Sequence, residues 1–346
     1  MDDNNSQQTF PNNDLNQTVT HLRRPIPWRR LLLAVFGFLL LALLTTFLLI
    51  THQKAIELIT QPVGQHKLPQ KSPADFGLHY KDVTVTSSDG FNLVGWYIPG
   101  TNGALILAQH GYKASRGEML TRAAMLHHHG YGVLITSVRA HDGSDGERIS
   151  FGHEEMKDLD AWYHYATHLP EVDIHRIGIV GASMGGSLVI QYAAQNPGIH
   201  AVIADSAFAS LDDVVSTAVT FYTGLPRFPF APAIERWAEW EGGFSAGEIN
   251  ARRWVHAISP RPIMILQGGT DQVIPTDSGQ KLYQAAGSPK ELWYEPTLGH
   301  TEIHKKEPKE YERRMAHFFD QYLPPEKPQT IRASLVPTGS AVPALP

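Results

Sequence analysis

The longest uninterrupted apolar stretch of the chain lies near its N-terminus. Residues 31–50 (LLLAVFGFLLLALLTTFLLI) are twenty residues without a charged side chain, and as a helix they would span about 30 Å, the hydrocarbon thickness of a bilayer. Four arginines precede this stretch, whereas Lys54 is the one basic residue that follows closely. By the positive-inside rule, residues 31–51 are predicted to form a transmembrane signal anchor with a cytoplasmic N-terminus. A cleaved signal peptide is the alternative, although the apolar run is longer than usual for one.

Three other segments are too polar or too rich in proline to build a core. Residues 1–30 are rich in Asn and Gln and are predicted to be a disordered cytoplasmic tail. Residues 52–78 are predicted to be a stalk, and the Pro/Ser/Thr-rich residues 324–346 a second disordered tail. Residues 79–323 remain, which is the length of one α/β domain.

Within this domain, short apolar runs alternate with helix-length segments. Two alternating runs around Asp89 and Gly90 predict an antiparallel hairpin at a sheet edge. Continuous apolar strands separated by helices are typical of a mostly parallel sheet covered on both faces. Residues 209–258 are too long for a plain crossover and are predicted to form a small helical cap. The other predicted strands are residues 104–108, 131–136, 177–180, 201–204, 263–266 and 292–294, and the predicted helices are 118–129, 155–168 and 185–195.

Composition excludes several kinds of chemistry. The chain has 29 Lys and Arg against 34 Asp and Glu, a formal net charge of −5, so no nucleic-acid partner is expected. It contains no cysteine, which excludes disulfides, a thiolate nucleophile and cysteine-ligated metal. Chemistry by serine, histidine or carboxylates remains, together with a histidine-ligated metal.

The most specific motif joins a predicted strand directly to a predicted helix. It reads Gly181, Ala182, Ser183, Met184, Gly185, a G-x-S-x-G sequence. In this setting the serine stands on a tight turn that exposes its hydroxyl above the sheet, and side chains at the two glycine positions would collide with neighbouring backbone. The helix behind the serine directs its N-terminal amides at a developing oxyanion. Ser183 is therefore a candidate nucleophile.

A serine nucleophile needs a base, and the base needs an orienting acid. Asp271 and His300 each follow the end of a predicted apolar strand, and both come after Ser183 in the chain. All three side chains would then lie beyond the carboxyl ends of strands, where ligands bind in open α/β sheets. The order Ser, Asp, His predicts a catalytic triad.

These residues resemble the α/β-hydrolase superfamily, and most of all its membrane-anchored or exported serine hydrolases with a short cap, the BEM46-like group. The resemblance covers about residues 79–323. It implies an α/β-hydrolase fold in which Ser183 is the nucleophile, His300 the general base and Asp271 the acid that orients it. No cofactor and no metal are expected.

The resemblance extends to the loop after the strand at residues 104–108. His110, Gly111 and Tyr112 are similar to the family's oxyanion loop. This similarity implies that the backbone amides of Tyr112 and Met184 donate to the oxyanion.

A second loop, residues 139–146 (RAHDGSDG), also resembles a family segment but departs from it. Ser137 stands where an aspartate often precedes the arginine, and Ala140 and Asp142 replace glycines. Neither departure touches the predicted triad, and the shape of the loop stays open.

The sequence leaves alternatives for the acid, the base and a metal. Asp205 follows the strand at residues 201–204 and is a second candidate for the acid. His304 is a second candidate for the base, without the preceding glycine. The run of histidines at 127–129 suggests metal binding, but consecutive helical side chains point in different directions, so the three are not expected to share one ion.

The sequence thus predicts a serine hydrolase that cleaves a carboxylic ester or thioester through an acyl-enzyme, on the outer face of the membrane. Its expected partners are a small or lipid-like acyl substrate and the bilayer, contacted through residues 31–50. A peptidase, amidase or acyltransferase with the same triad is one alternative, and a catalytically inactive binding module is another. Because the chain resembles neither the propeller domain nor the amine-anchoring acids of related peptidases, ester cleavage is favoured.

Overall fold

The structure, a computed structural model, describes residues 28–325. These residues form two compact units, one that ends at Leu48 and one that begins at Leu49. The two predicted disordered tails lie outside the described residues, except for residues 28–30 and 324–325, and stay predictions.

The described residues contain both helices and strands. The helices are α1 (Trp28–Ile59), α2 (Leu120–His128), α3 (Glu155–Thr167), α4 (Met184–Gln195), α5 (Leu211–Thr223), α6 (Arg227–Gly242), α7 (Ala251–Trp254), α8 (Ser278–Ala285), α9 (Ile303–Lys306) and α10 (Pro308–Tyr322). The strands are β1 (Lys81–Thr86), β2 (Asn92–Ile98), β3 (Leu105–Gln109), β4 (Gly132–Thr136), β5 (Ile177–Ala182), β6 (Ala201–Asp205), β7 (Ile263–Gly268) and β8 (Lys290–Glu295).

The strands form one eight-stranded sheet in the order β1-β2-β4-β3-β5-β6-β7-β8. β1 pairs with β2, and β2 with β4, in antiparallel fashion, and all other neighbours are parallel. The mostly parallel sheet and its antiparallel edge hairpin, both predicted from the sequence, are confirmed. Ser183, Asp271 and His300 follow β5, β7 and β8, so they come to the same edge of the sheet.

The core lies on both faces of the sheet. Along β3, Leu107 packs into a cluster that includes Trp162 of α3, whereas its neighbour Ile106 packs into a second cluster that includes Leu126 of α2 and Phe318 of α10. Since side chains alternate between the faces of a strand, a strand covered on both sides must be apolar throughout. The continuous apolar runs of the sequence reflect this double burial.

Helix α1 continues beyond the predicted anchor, to Ile59. It is long and apolar enough to cross a membrane, and an 18-residue window of it has a mean hydropathy of 2.7. Thr51, Ala55 and Ile59, by contrast, are buried. Their spacing of four residues places them on one face of the helix, and this face is buried within the second compact unit, to which all three residues belong. The crossing of a membrane by residues 31–50 stays a prediction.

The segment predicted as a stalk, residues 52–78, is attached to the domain rather than free. The Ile149 amide donates to the Ile59 carbonyl over 2.8 Å, and the Gln61 amide donates to the Glu147 carbonyl over 2.8 Å. Ala55 and Ile59 contribute to this attachment, because at helical spacing both are buried on one face of α1.

The insertion between β6 and β7 is a helical hairpin, as predicted for the cap. Ser210 begins α5, its hydroxyl accepting from the Asp213 amide, and Gly224 ends it in a left-handed conformation (φ 71°). Helix α6 returns across α5. The apolar side chains of this hairpin pack with Ala55 of α1, namely Val219, Ala231 and Ile234.

Candidate active site

Ser183 stands on the sharp turn between β5 and α4. Its backbone lies at φ 56° and ψ −123°, a conformation that costs a non-glycine residue about 1–3 kcal/mol. The Ser183 amide donates to the Asp205 carbonyl of the neighbouring strand over 2.8 Å, which holds the turn in place. The strained turn places the Ser183 side chain just beyond the end of β5, as the motif predicts, although the residue is only 9% exposed.

The two motif glycines are required by close backbone approaches. A Cβ on Gly181 would lie 2.2 Å from the Gly185 carbonyl oxygen, and a Cβ on Gly185 would lie 2.4 Å from the His110 carbonyl oxygen. Since the atoms in the way belong to the backbone, they cannot move aside as a flexible side chain could. Gly181 and Gly185 therefore let the turn form against the loop after β3.

The three side chains predicted as a triad meet in one hydrogen-bonded chain. The distance from His300 Nε2 to Ser183 Oγ is 2.8 Å, and that from His300 Nδ1 to Asp271 Oδ2 is 2.7 Å. Because the Asp271 carboxylate accepts the Nδ1 proton, Nε2 is free to accept the proton of the serine hydroxyl.

The Asp271 carboxylate is itself held firmly. Its side chain is fully buried, and Oδ1 accepts from the amides of Val273 and Ile274 at 2.9 Å each. These bonds compensate a buried negative charge and fix the plane of the carboxylate. The orientation of His300 is set in turn by Asp271.

The loop after β3 lies directly beside the serine. A Cβ on Gly111 would lie 3.1 Å from Ser183 Cβ. His110 Nδ1 donates to the Gly111 carbonyl over 2.8 Å, and the Gly111 amide donates to a Glu118 carboxylate oxygen over 2.7 Å. Both the amide and the carbonyl of Gly111 are therefore hydrogen-bonded to side chains.

The amides predicted to bind the oxyanion have the environment that this role needs. Met184 is the first residue of α4, so its amide has no partner within the helix. Among residues 28–325, neither this amide nor that of Tyr112 donates to another protein group. Both amides are therefore available to a substrate oxygen.

The loop at residues 139–146 supports the oxyanion loop. His141 Nδ1 donates to the Arg139 carbonyl over 2.8 Å, and Nε2 accepts from the Lys113 amide over 3.0 Å. Ala140 and Asp142, which replace family glycines, both have positive φ, 58° and 55°. Both residues therefore keep the left-handed backbone conformation that a glycine adopts more easily. Sequence reasoning missed His141, and also Glu118, because their contacts depend on the tertiary fold.

The alternative acid and base lie in a buried cluster away from the serine hydroxyl. The Asp205 carboxylate accepts from Arg122 over 2.5 Å and from the Tyr311 hydroxyl over 3.0 Å, and Arg122 also donates to His304 Nδ1 over 3.1 Å. The side chains of Arg122 and Asp205 are fully buried. We call these four residues the Arg122 cluster. Within residues 28–325, the side chains of Asp205 and His304 form no hydrogen bond with the side chains of Ser183 and His300, whose partners are given above.

The Arg122 cluster is connected to the loop that carries His300. The Ser206 hydroxyl donates to Asp205 Oδ1 and accepts from the Thr301 amide, each over 3.1 Å. Thr301 is the residue after His300 and has a positive φ of 50°. The cluster therefore helps to hold this strained loop.

One group of potential metal ligands includes two histidines of the run at residues 127–129. Ligand atoms of His128, His129 and Glu312 lie within 4.8 Å of one another, while His127 is not part of the group. Adjacent helical side chains diverge, but α2 ends at His128 and His129 already lies outside it. The two rings therefore reach the same carboxylate, His128 at 2.8 Å. All three residues lie at the surface, far from the serine in sequence and fold.

A cavity of about 80 Å³ lies between Ser183 and the cap. It would hold about five to eight water molecules or a short acyl chain. Its lining is almost entirely apolar and comes from the end of α1, the oxyanion loop, the cap and the loop of Asp271. The lining residues include Leu58, Ile59, Tyr112, Phe151, Met184, Phe208, Ala218, Val219, Tyr222, Ile234, Val273 and Ile274.

Glu235 is the acidic residue of this lining. Burial, aided by the nearby Asp212 carboxylate, raises the pKa of Glu235 to about 7. Near neutral pH a large fraction of Glu235 is therefore uncharged, which keeps the cavity suited to an apolar group.

Three buried histidines make stability dependent on pH. Burial lowers the pKa of His110, of His141 and, with the Arg122 charge, of His304, the last to about 4. The unfolded chain takes up these protons near pH 6.5, whereas the folded chain does not. We therefore expect the free energy of unfolding to fall as the pH drops from about 6.5 to about 4, with His304 alone contributing about 3 kcal/mol.

Urea unfolding of the full chain in detergent at pH 7.5, 6 and 5 measures this dependence. The variant His304→Gln, which keeps an acceptor for Arg122, should flatten the pH profile, while His153→Gln at an exposed position should leave it unchanged. An unaltered profile in His304→Gln would contradict the assignment.

Comparisons with known proteins agree with the fold and the motif. Residues 118–326 match the prolyl oligopeptidase family. The protein YqkD of Bacillus subtilis is 27% identical over 241 residues, which cover 68% of this chain and 78% of YqkD. The alpha/beta hydrolase domain-containing protein WAV2 of Arabidopsis thaliana is 24% identical over 308 residues, which cover 84% of this chain and 95% of WAV2.

Solved structures show the same architecture. The Pyrococcus furiosus esterase Pf2001 superposes with a TM-score of 0.65 at 25% identity, covering 77% of this chain and 98% of the esterase. Acetyl xylan esterase 1 of a Thermoanaerobacterium species superposes with a TM-score of 0.55 at 19% identity, covering 78% and 93% of the two chains, and shares the fold. The family match covers most of the sheet and all three triad positions. With its sheet order and its strained serine turn, the chain is an α/β hydrolase and belongs to the prolyl oligopeptidase family.

Proposed function

We propose that this α/β hydrolase cleaves carboxylic esters through a covalent acyl-enzyme on Ser183. The observation that carries the proposal is the continuous hydrogen-bonded chain from Asp271 through His300 to Ser183. This chain ends beside two amides without protein partners and an apolar cavity. A nucleophile, an oriented base, oxyanion donors and an acyl site therefore occupy one place.

The reaction follows from this geometry. Ser183 Oγ attacks the ester carbonyl carbon while His300 Nε2 takes the hydroxyl proton, and the resulting oxyanion accepts from the amides of Tyr112 and Met184. The C–O bond to the alcohol then breaks, and His300 gives its proton to the departing oxygen. A water molecule, deprotonated by His300, attacks the acyl-enzyme and releases the acid.

The cavity supports an ester with an apolar acyl group. Similarity to the Pyrococcus furiosus esterase agrees with ester cleavage. A peptidase or amidase is the second candidate, because the family that matches is named after prolyl oligopeptidase. The placement of the catalytic domain on the outer face of a membrane, with residues 31–50 in the bilayer, is part of the proposal, as is membership of the BEM46-like group.

A substrate panel distinguishes the two candidates. The full-length chain in detergent is given nitrophenyl acetate, butyrate, octanoate and palmitate, and peptide nitroanilides, with Ser183→Ala as the control. We expect kcat/KM for the best ester to exceed that for any amide by at least tenfold. Faster turnover of an amide would overturn ester specificity, and turnover of none of these compounds would overturn the proposed activity.

Filling the cavity should change acyl preference. Ala218 of α5 lines the cavity, and Ala218→Phe would occupy the space of several acyl carbons. We expect kcat/KM for the octanoate ester to fall by at least 10- to 100-fold relative to the acetate ester, since the loss of a single methylene contact, worth about 1–3 kcal/mol, already corresponds to a change of this size. Ratios measured on one enzyme preparation need no correction for active fraction. An equal loss on both esters would contradict this location of the acyl group.

A further inference from the structure

Large aromatic side chains are exposed on the cap. Phe228 is 82% and Trp240 71% exposed, and Phe221 and Tyr222 are about half exposed. We call these four residues the cap aromatic group. The ring centroids of Phe221 and Tyr222 lie 5.1 Å apart, whereas Phe228 and Trp240 stand near opposite ends of α6. Four large exposed rings on one small helical hairpin favour a binding surface.

Trp240, one member of the cap aromatic group, lies near the residue at which the apolar segment of α1 ends. The ring of His52 lies 4.8 Å from that of Trp237, which in turn lies 5.3 Å from the ring of Trp240. His52 Nε2 is also 2.8 Å from Glu241 Oε1. Since His52 is two residues after Ile50, it lies at most about 7 Å from it along the chain. The C-terminal part of α6 therefore lies beside the residues at which the apolar segment of α1 ends.

The cavity next to Ser183 is bounded by the same helix. Leu58 and Ile59 line it, and the Tyr112 hydroxyl donates to the Leu58 carbonyl over 2.6 Å. Between Ile50 and Leu58 the helix rises about 12 Å at 1.5 Å per residue. The head-group layer of a bilayer is about 5–8 Å thick on each side. The wall of the acyl cavity thus starts within a short distance of that layer.

Tryptophan and tyrosine are enriched at the head-group layer of membrane proteins, because each combines an apolar ring with a polar N–H or O–H group. The cap aromatic group supplies such rings, and the twenty uncharged residues before Thr51 supply the membrane segment. A lipid surface therefore explains both the exposure of these rings and the position of Trp240 near the end of the apolar segment of α1.

We propose that the cap aromatic group lies in the head-group layer of the bilayer that holds residues 31–50, and that the substrate is an ester amphiphile of this bilayer. Its acyl chain passes from the membrane along the end of α1 into the cavity, and its ester carbonyl reaches Ser183. The proposal rests on the proposed ester hydrolysis and on the predicted membrane crossing.

Site-specific fluorescence tests the docking. The chain has no cysteine, so Phe228→Cys, Trp240→Cys and, as control, Ile174→Cys each give one labelling site. Ile174 is 46% exposed and precedes the amino end of β5, whereas Ser183 follows its carboxyl end. Each full-length variant carries a bimane label in phosphatidylcholine vesicles containing head-group nitroxide lipid.

Bimane at positions 228 and 240 should be quenched at least threefold more than bimane at 174. Equal quenching at all three positions would overturn the docking. Protection from water that grows with the protein-to-lipid ratio, without nitroxide quenching, would mean that a second copy covers the rings and would also overturn it.

Activity tests the substrate class separately. The double variant Phe228→Ser/Trp240→Ser should hydrolyse methylumbelliferyl palmitate embedded in these vesicles at least tenfold more slowly, with an unchanged rate on dissolved nitrophenyl acetate. Equal rates of the variant and the parent on both esters, or equal losses on both, would overturn the membrane-fed substrate. If the parent hydrolyses neither ester, the proposed activity fails, and the quenching result still decides the docking.

Discussion

Replacing Ser183 by alanine is expected to lower kcat for nitrophenyl butyrate by at least about 10⁴-fold. In the proposed mechanism the serine oxygen forms the acyl-enzyme, and loss of the nucleophile in serine hydrolases removes about four to six orders of magnitude in kcat. The cavity and the oxyanion amides stay in place, so binding of an uncleaved ester analogue should change little. Turnover by active-site-titrated protein measures the first effect, and isothermal calorimetry with the analogue measures the second.

Ser187 provides a matched control for this experiment. It lies one turn further along α4 and is buried, and its hydroxyl bonds with the backbone of Phe208 rather than with His300. Ser187→Ala should keep kcat within a few-fold of the parent. Comparable losses of kcat in both variants would show that the substitutions act by disturbing helix α4 and not by removing the nucleophile.

Substitution of two aspartates near the site should affect different properties, stability for Asp205→Asn and activity for Asp271→Asn. Asp205→Asn leaves the fully buried Arg122 without its ion-pair partner, and breaking such a pair costs about 3–5 kcal/mol of unfolding free energy. Asp271→Asn removes the acid that orients His300, which should lower kcat by about 10⁴-fold. Urea unfolding and kcat, measured on the folded fraction of each variant, separate the two effects.

Matched variants sharpen this comparison. Lys281→Met removes two more exposed ion pairs, with Asp213 and with Asp277, and should change the unfolding free energy by no more than about 1 kcal/mol. Arg122→Met/Asp205→Leu replaces both buried charges and should recover much of the stability lost in Asp205→Asn. The assignment of the acid would be wrong if Asp205→Asn lost its activity while it stayed folded and Asp271→Asn kept its activity.

The strands and the serine turn were predictable because local pattern determines them. Each buried strand is a short apolar run, and the glycines beside Ser183 are required by backbone atoms within a few residues or at the next loop. The positions of Asp271 and His300 follow from the rule that functional side chains lie at the carboxyl ends of parallel strands. The contacts that brace the site were not predictable in this way.

Bracing contacts depend on residues that meet only in the folded chain. His141 supports Lys113, and Arg122 pairs with Asp205 across 83 positions of sequence. No periodicity marks such residues. The extension of α1 did leave a signal, because Thr51, Ala55 and Ile59 recur every four residues, but prolines further along the same segment favoured a stalk.

The most direct test of the central claim is covalent labelling of the full-length chain in detergent with a fluorophosphonate, followed by peptide mass spectrometry. The proposed mechanism predicts one phosphonyl adduct, on the peptide that contains Ser183, with labelling abolished in Ser183→Ala and slowed at least 100-fold in His300→Ala. An intact protein that takes up no adduct, or takes it up at another residue at the same rate in all three proteins, would contradict it.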